Sequence, residues 1–276
     1  MNRLPGLLLC LSSSILACSS RQTSPDLPLQ AAPDPERVFN YASGTTRYIQ
    51  TSLRDIEQEV SGQVTSSRTV LRYHLTTDIE DRNGAMVVHF TVDSIADAEA
   101  PGYTPSVRRD ATGMSFQGTF TQTGRITDLN TGTRSSPLIA RLTTLISQFF
   151  PLIPAGGPAP GTEWVDTTET TTDDGSTRIV TTMINTNVAG SWRDDGTGMP
   201  ISWRMTYTFS GQGEQLGQNF TLEGTGLRSG EHLLSADGIY LETTAVDSSE
   251  ASVLLPTIGI TVPVVQTGVD TVRILR

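Results

Sequence analysis

Asn83-Gly84, set between two runs of alternating polarity, constrains this chain more than any other feature. The stretch TVLRYHLTTDIEDRNGAMVVHFTVDSI, residues 69–95, reads as two antiparallel strands, and Asn-Gly is the pair that a two-residue type I′ turn demands. That turn sets Arg82 opposite Ala85 and so fixes every partner along the hairpin. One face then carries Tyr73, Leu75, Thr77 and Ile79 beside Val88, Phe90 and Val92; the other carries His74, Thr76, Asp78 and Glu80 beside Val87, His89, Thr91 and Asp93. The first face is expected to be core and the second wet. His74 falls opposite Asp93, and His89 opposite Asp78. The two pairs lie about 13 Å apart at roughly 3.3 Å per residue, too far to share one metal ion whose ligand bonds are about 2 Å. They are read as solvated charge pairs.

The same grammar runs through the rest of the chain. RYIQTSLRDIEQEVSGQVTSS predicts a long hairpin turning near Gly62, with two helical turns over 52–60 as the alternative. GMSFQGTFTQTGRITDL predicts a tighter one about Thr123-Gly124. TEWVDTTETTT and STRIVTTMINTNV flank Asp173-Asp174-Gly175; MPISWRMTYTF, QNFTLEGTGL, EHLLSADGIYLETTAV with a turn at Asp237-Gly238, EASVLLP and VDTVRIL follow. About ten to twelve strands exceed what an open twisted sheet holds without curling, and Gly211, Gly213 and Gly217 are candidate bends. One segment has another period. In SSPLIARLTTLISQFF, residues 135–150, Leu138, Ile139, Leu142, Leu145, Ile146, Phe149 and Phe150 recur at helical spacing behind Ser136 as cap and Pro137 as first helical residue. PLIPAGGPAPG ends it. The expected fold is mainly β: a large curved antiparallel sheet in one domain over 41–276, its halves 41–134 and 161–276 joined by this helix at 136–150, which packs on the sheet.

The N-terminal 17 residues, with Arg3 before a short apolar run, read as a secretion signal too short to span a bilayer. Ile15-Leu16-Ala17-Cys18 resembles the bacterial lipobox, which implies cleavage before Cys18 and acylation of that cysteine. A durable anchor needs more than one acyl chain. Cys10, preceded by Leu9, lacks the small residue and is the chain's only other cysteine, so the body must stand without disulfides. Residues 18–40 read as the lipidated cysteine and a tether: SSRQTSPDLPLQAAPDPE carries four prolines and little apolar periodicity. In extended geometry it reaches about 50 Å at roughly 3.1 Å per residue.

Every basic residue is Arg, the formal net charge is −10, and the Arg are scattered, which disfavours a nucleic-acid partner. No nucleophile elbow, paired-His metal motif, phosphate loop or dinucleotide fingerprint occurs, so no catalytic residue, metal site or cofactor is expected. DDGS and DDGTG read as turns before calcium loops. His232, in RSGEHLL, is placed at a strand start. Trp164, Trp192 and Trp203 are read as core before ligand-stacking rings, with Trp192 and Trp203 placed to meet across a hairpin.

Anchor, tether, curved sheet and covering helix together resemble, in layout, half-barrel lipoproteins of the LolA/LolB type. That resemblance implies an apolar cavity for acyl chains between sheet and helix, lined here by Leu138, Leu142, Leu145, Ile146 and Phe149, in a lipoprotein of the cell envelope on the periplasmic face of an outer membrane. Its partners are then the membrane, through acylated Cys18, and a lipid ligand. The alternative is a scaffold or accessory lipoprotein with a filled core that binds an envelope protein or polysaccharide.

Overall fold

The computed structural model describes residues 39–96, 103–130, 132, 136–173, 176–215 and 217–275, so the signal segment, Cys18 and the tether up to residue 38 lie outside the described residues. Eleven strands form one antiparallel sheet. Five make a meander: β1 (Gly44–Val60), β2 (Gln63–Arg82), β3 (Ala85–Ala96), β4 (Ser115–Phe120) and β5 (Ile126–Asn130). Six make another: β6 (Glu163–Asp173), β7 (Thr177–Ala189), β8 (Met199–Gln215), β9 (Gln218–Leu234), β10 (Tyr240–Leu255) and β11 (Ile260–Ile274). β1 pairs with β11, which fuses the meanders and leaves β5 and β6 as the two edges. The sheet curves without closing. Helix α2 (Pro137–Ser147) connects those edges in sequence and touches both in space.

Turn chemistry explains the lengths. Asn83 and Gly84 both take positive φ, 59° and 85°, and so do Ser61 and Gly62, at 53° and 78°. These are the backbone values of a turn whose twist matches its strands. Residues 52–60 therefore continue as strand instead of coiling into helix. The register from Arg82↔Ala85 to Leu75↔Val92 is the one the turn dictates, and Tyr73, Leu75, Thr77, Ile79, Val88, Phe90 and Val92 are all buried.

Beyond Leu75 the register shifts, and His74 faces Ser94 instead of Asp93. A β-bulge at Asp93 breaks the expected pair, and the Asp93 carboxylate accepts a hydrogen bond from Thr76 Oγ1 at 2.8 Å. Asp78 and His89 do face each other, yet Asp78 accepts from Thr45 Oγ1 at 2.9 Å and His89 Nε2 lies 3.4 Å from Arg82 Nη2.

Other expectations need adjusting. A second helix, α1 (Pro105–Ala111), precedes β4; with Ala111 its one buried residue it has no apolar stripe to announce it. α2 has the expected cap, Ser136 Oγ accepting from Ile139 N at 3.2 Å, but ends at Ser147, so Phe149 and Phe150 lie past the helix and are buried there. IYLETTAV and EASVLLP belong to one strand, β10, because residues 242–254 pair without a break with both β9 and β11. His232 lies near the end of β9, not its start. Phe39, inside the stretch read as tether, is buried in the core.

On the inward face several strand glycines leave room for a facing ring. Gly224, Gly226 and Gly230 of β9 sit opposite Phe209, Tyr207 and Trp203 of β8; a Cβ on Gly224 or Gly226 would intrude on the facing ring, and one on Gly230 would meet the Thr244 carbonyl first. Gly213 similarly accommodates Phe220, at 2.8 Å from where its Cβ would stand. Gly217, expected as a bend, has φ 75° next to the start of β9.

The inward face buries two apolar clusters. One lies beneath α2 and holds Tyr48, Tyr73, Phe90, Phe116, Leu138, Leu142, Ile146, Phe149 and Tyr240. The other, at the far end, holds Ile56, Met183, Tyr207, Phe209, Phe220, Leu222, Val253 and Val264. Arg68, Arg204, Glu223 and Glu250 are exposed on the outward face, which suits water, since charge on a lipid-facing strand is costly.

Candidate functional site: a buried arginine and aspartate belt

The residues expected to line an apolar cavity are packed. Leu138, Leu142 and Ile146 are 0% exposed, Phe149 is buried and Leu145 is half-buried against the same cluster. Rings fill the space below them: Phe149 meets Tyr48, Phe90, Phe150 and Tyr240 at centroid distances of 5.1, 5.2, 5.2 and 5.7 Å. Two phenols in this cluster are tied down, Tyr48 donating to the Tyr240 carbonyl at 2.8 Å and Tyr41 to that of Pro151 at 2.7 Å. Trp203 is buried, while Trp164 and Trp192 pack partly buried against the α2 cluster. The hairpin of β7 and β8 does turn through residues 190–198, but Trp192 precedes β8 while Trp203 lies within it facing Asn187 and Gly230, so the two tryptophans are not cross-strand partners.

Between the two apolar clusters runs a belt of charge. Alternation on β1, β9, β10 and β11 turns Arg54, Arg228, Asp247 and Asp270 inward at neighbouring registers. Asp270 Oδ2 accepts from Arg54 Nη2 at 2.6 Å and from Arg228 Nη2 at 2.7 Å. Asp247 Oδ2 lies 3.4 Å from Arg228 Nε, and its Oδ1 accepts from Tyr207 OH at 3.1 Å. Gly268, opposite Arg54, leaves the room its guanidinium occupies. Arg228 also lies over the Trp203 ring at 5.5 Å, and His232 stacks on that ring at 5.2 Å and 15°.

The two carboxylates are pushed apart in acidity. Burial pushes both up, but Arg54 and Arg228 outweigh it at Asp270 and hold that carboxyl at about 2. Asp247, whose ion pair with Arg228 lacks hydrogen-bond geometry, stays dominated by desolvation and is raised to about 6. Burial, with the charge of Arg228, lowers His232 to about 3, so its ring is neutral at pH 7; Nδ1 is 2.7 Å from Thr243 Oγ1. Among the described residues no cluster of three or more His, Cys, Asp or Glu suits a metal ion.

Sequence reading missed this belt because inward and outward positions of these strands are both mixed in polarity. A signal was nevertheless present: Arg228 is flanked on its own face by Gly226 and Gly230, and Asp270 by Gly268, small neighbours that leave space for a buried charge. On the outer face a shallow groove of about 610 Å³ crosses β7 to β11, lined by Val180, Thr208, Ser210, Glu223, Glu250 and Val265 among others.

No family model matches the chain, and no curated protein matches it. Among solved structures it is similar to the crystal structure of Neisserial surface protein A (NspA), at 6% identity over 84% of this chain and 99% of that one, with a TM-score of 0.23, below the level of a shared fold.

Proposed function

We propose that this chain is a lipoprotein anchored through acylated Cys18 to the periplasmic face of an outer membrane, whose half-barrel is a non-catalytic binding scaffold for an envelope protein or polysaccharide. The observation that carries the choice is the filled space beneath α2: a carrier of the half-barrel kind needs an unfilled apolar cavity of some hundreds of cubic ångströms, whereas Leu138, Leu142 and Ile146 are fully buried against a continuous set of rings. The belt's acids and bases are engaged with one another, as structural groups are. Acyl-chain carriage remains the second reading, favoured by α2 itself, which bridges the two edges of an unclosed sheet and is therefore the element whose displacement opens the interior.

Lipid extraction and native mass spectrometry of the full chain purified from membranes test the choice. The scaffold reading expects only covalent acyl chains. Near-stoichiometric extra lipid, lost in a Leu142→Arg variant that still melts cooperatively, gives the decision to carriage. Fractionation of Cys18→Ser tests the anchor: the chain should leave the membrane fraction.

A further inference from the structure

Next to the belt, beside α2, polar groups gather on the inward face, and two of them lack a hydrogen-bond partner. Arg141 extends from α2, and its Nη2 donates to Ser52 Oγ at 3.2 Å; Tyr103 also reaches it. Among the described residues no carboxylate oxygen lies within 4 Å of this guanidinium, the Asp270 carboxylate being taken by Arg54 and Arg228. Ser52 faces Asp270 across β1 and β11, and two residues before it Gln50 faces Tyr73 across β1 and β2. Facing residues on one side of a sheet have Cβ atoms about 4.5–5.5 Å apart. The Tyr73 hydroxyl, on a side chain 0% exposed, has no hydrogen-bond partner, and neither does the Gln50 carbonyl oxygen, on a residue 8% exposed.

Two physical costs thus stand uncompensated at one place. Among the described residues the linked groups Arg54, Arg141 and Arg228 face only Asp247 and Asp270, an excess of positive charge there; Asp166, farther along the inward face on β6, is engaged by Asn187 at 3.3 Å. Buried charge without a counter-charge is expensive, and so is a buried donor or acceptor left unmade. A single kind of group removes both costs: negative oxygens for Arg141 and the Tyr73 hydroxyl, and an adjacent O–H or N–H for the Gln50 carbonyl.

We infer that Arg141, Tyr73, Gln50 and Ser52 form a buried seat for an oxyanion that carries a hydrogen-bond donor beside its negative oxygens, the chemistry shared by hydrogen phosphate, phosphomonoesters and 2-hydroxycarboxylates. The seat goes beyond the scaffold reading and does not depend on whether lipid is carried. It places a small polar ligand beside the belt, where Arg141 reaches Ser52, apart from the apolar space that Leu138, Leu142 and Ile146 fill.

The test is thermal unfolding of the full chain in non-ionic detergent, titrated with sodium phosphate, glycolate or acetate at matched ionic strength. Phosphate or glycolate should raise the melting temperature in a saturable way, with acetate, which lacks the donor, weaker by about tenfold. Tyr73→Phe removes an unpartnered hydroxyl and so keeps or slightly raises the melting temperature without ligand, yet should weaken the anion about tenfold or more. Arg141→Met should abolish the shift. An equal shift with sodium chloride, no saturable shift with phosphate or glycolate, or an unchanged titration in Tyr73→Phe overturns the seat. Comparing the phosphate and glycolate midpoints then separates phosphate from carboxylate sources.

Discussion

Beneath α2 the interior is covered by a helix; at the far end it is filled by side chains of the sheet alone. Under the helix, large side chains from β1 to β3 meet Leu138, Leu142, Ile146 and Phe149 across a gap that no strand could fill. In the far cluster no helix is present. There Phe209 and Tyr207 lie over Gly224 and Gly226, and the absent Cβ atoms let β8 and β9 bring rings close to the sheet. The difference teaches how a sheet too wide to stay flat finishes both ends of its core, by addition at one and by subtraction at the other. Between them sits the belt, whose stability is electrostatic and conditional.

The largest way to break that arrangement is to remove the acid shared by two arginines. Asp270→Ala leaves Arg54 and Arg228 buried with one acid less, and breaking a buried pair from one side costs about 3–5 kcal/mol. Replacing the whole belt by uncharged residues, as in Asp270→Leu with Arg54→Met, Arg228→Met and Asp247→Asn, should recover most of it, because the desolvation of charge is then avoided. Urea midpoints of the two variants decide whether the belt is a structural necessity or a place kept polar for another reason. If the fourfold variant is no better than the single one, the charges themselves hold the fold.

Next in size is pH. In the fold His232 stays neutral down to about pH 3, while its unfolded counterpart takes a proton near 6.5. Its contribution is whole above 6.5 and is lost as pH falls towards 3. Asp247 runs in the opposite direction: its folded carboxyl holds a proton up to about 6, against 3.8 for a free aspartate, so its contribution is whole below 3.8 and is lost as pH rises through 6. Between pH 6 and 4 the two slopes oppose. Asp247→Asn should therefore make stability fall across this window relative to the parent, and His232→Gln should make it rise, each by on the order of 2–3 kcal/mol. Denaturation at pH 4, 5 and 6 that gives parallel profiles for all three proteins would remove the basis for both assignments.

What was legible before the structure, and what was not, follows the same division. The hairpin of β2 and β3 was readable from Asn83-Gly84 because a two-residue turn fixes register locally, and α2 was readable because Leu138, Leu142 and Ile146 repeat at helical spacing. Both signals are short-range. The belt is not: Arg54 and Asp270 come together only because β1 pairs with β11, a contact between strands more than two hundred residues apart, and nothing within RDI or VDT announces it. The bulge at Asp93 escaped for a related reason, since a register shift depends on how the strand must bend against its neighbours. The filling of the α2 face also lay beyond pattern reading. Periodicity marks a face as apolar but does not say whether rings such as Phe149 and Tyr240 occupy the space beneath it.

A smaller effect sharpens the far-end account. Gly226→Ala places a methyl group inside the Tyr207 ring's position, and overpacking of this kind costs about 1–3 kcal/mol. Combining it with Tyr207→Leu should give less than the sum of the single effects, because the clash is then gone. Additive losses in melting temperature would mean that Gly226 serves backbone freedom and not ring accommodation.

The smallest expected effect supplies the scale for the others. Arg82 and Glu80 form an ion pair as short as the one in the belt, 2.7 Å, with side chains 52% and 41% exposed. Water screens it, and holding two long side chains in one geometry offsets the gain, so Arg82→Gln should change stability by no more than about 0.2–1 kcal/mol. The comparison with Asp270→Ala is then between equal distances at unequal depth. If the exposed pair proves to be worth as much as the buried one, depth is not what makes the belt costly to break, and the contrast between a conditional centre and two self-sufficient apolar ends must be replaced by one in which hydrogen-bond geometry alone sets the ranking.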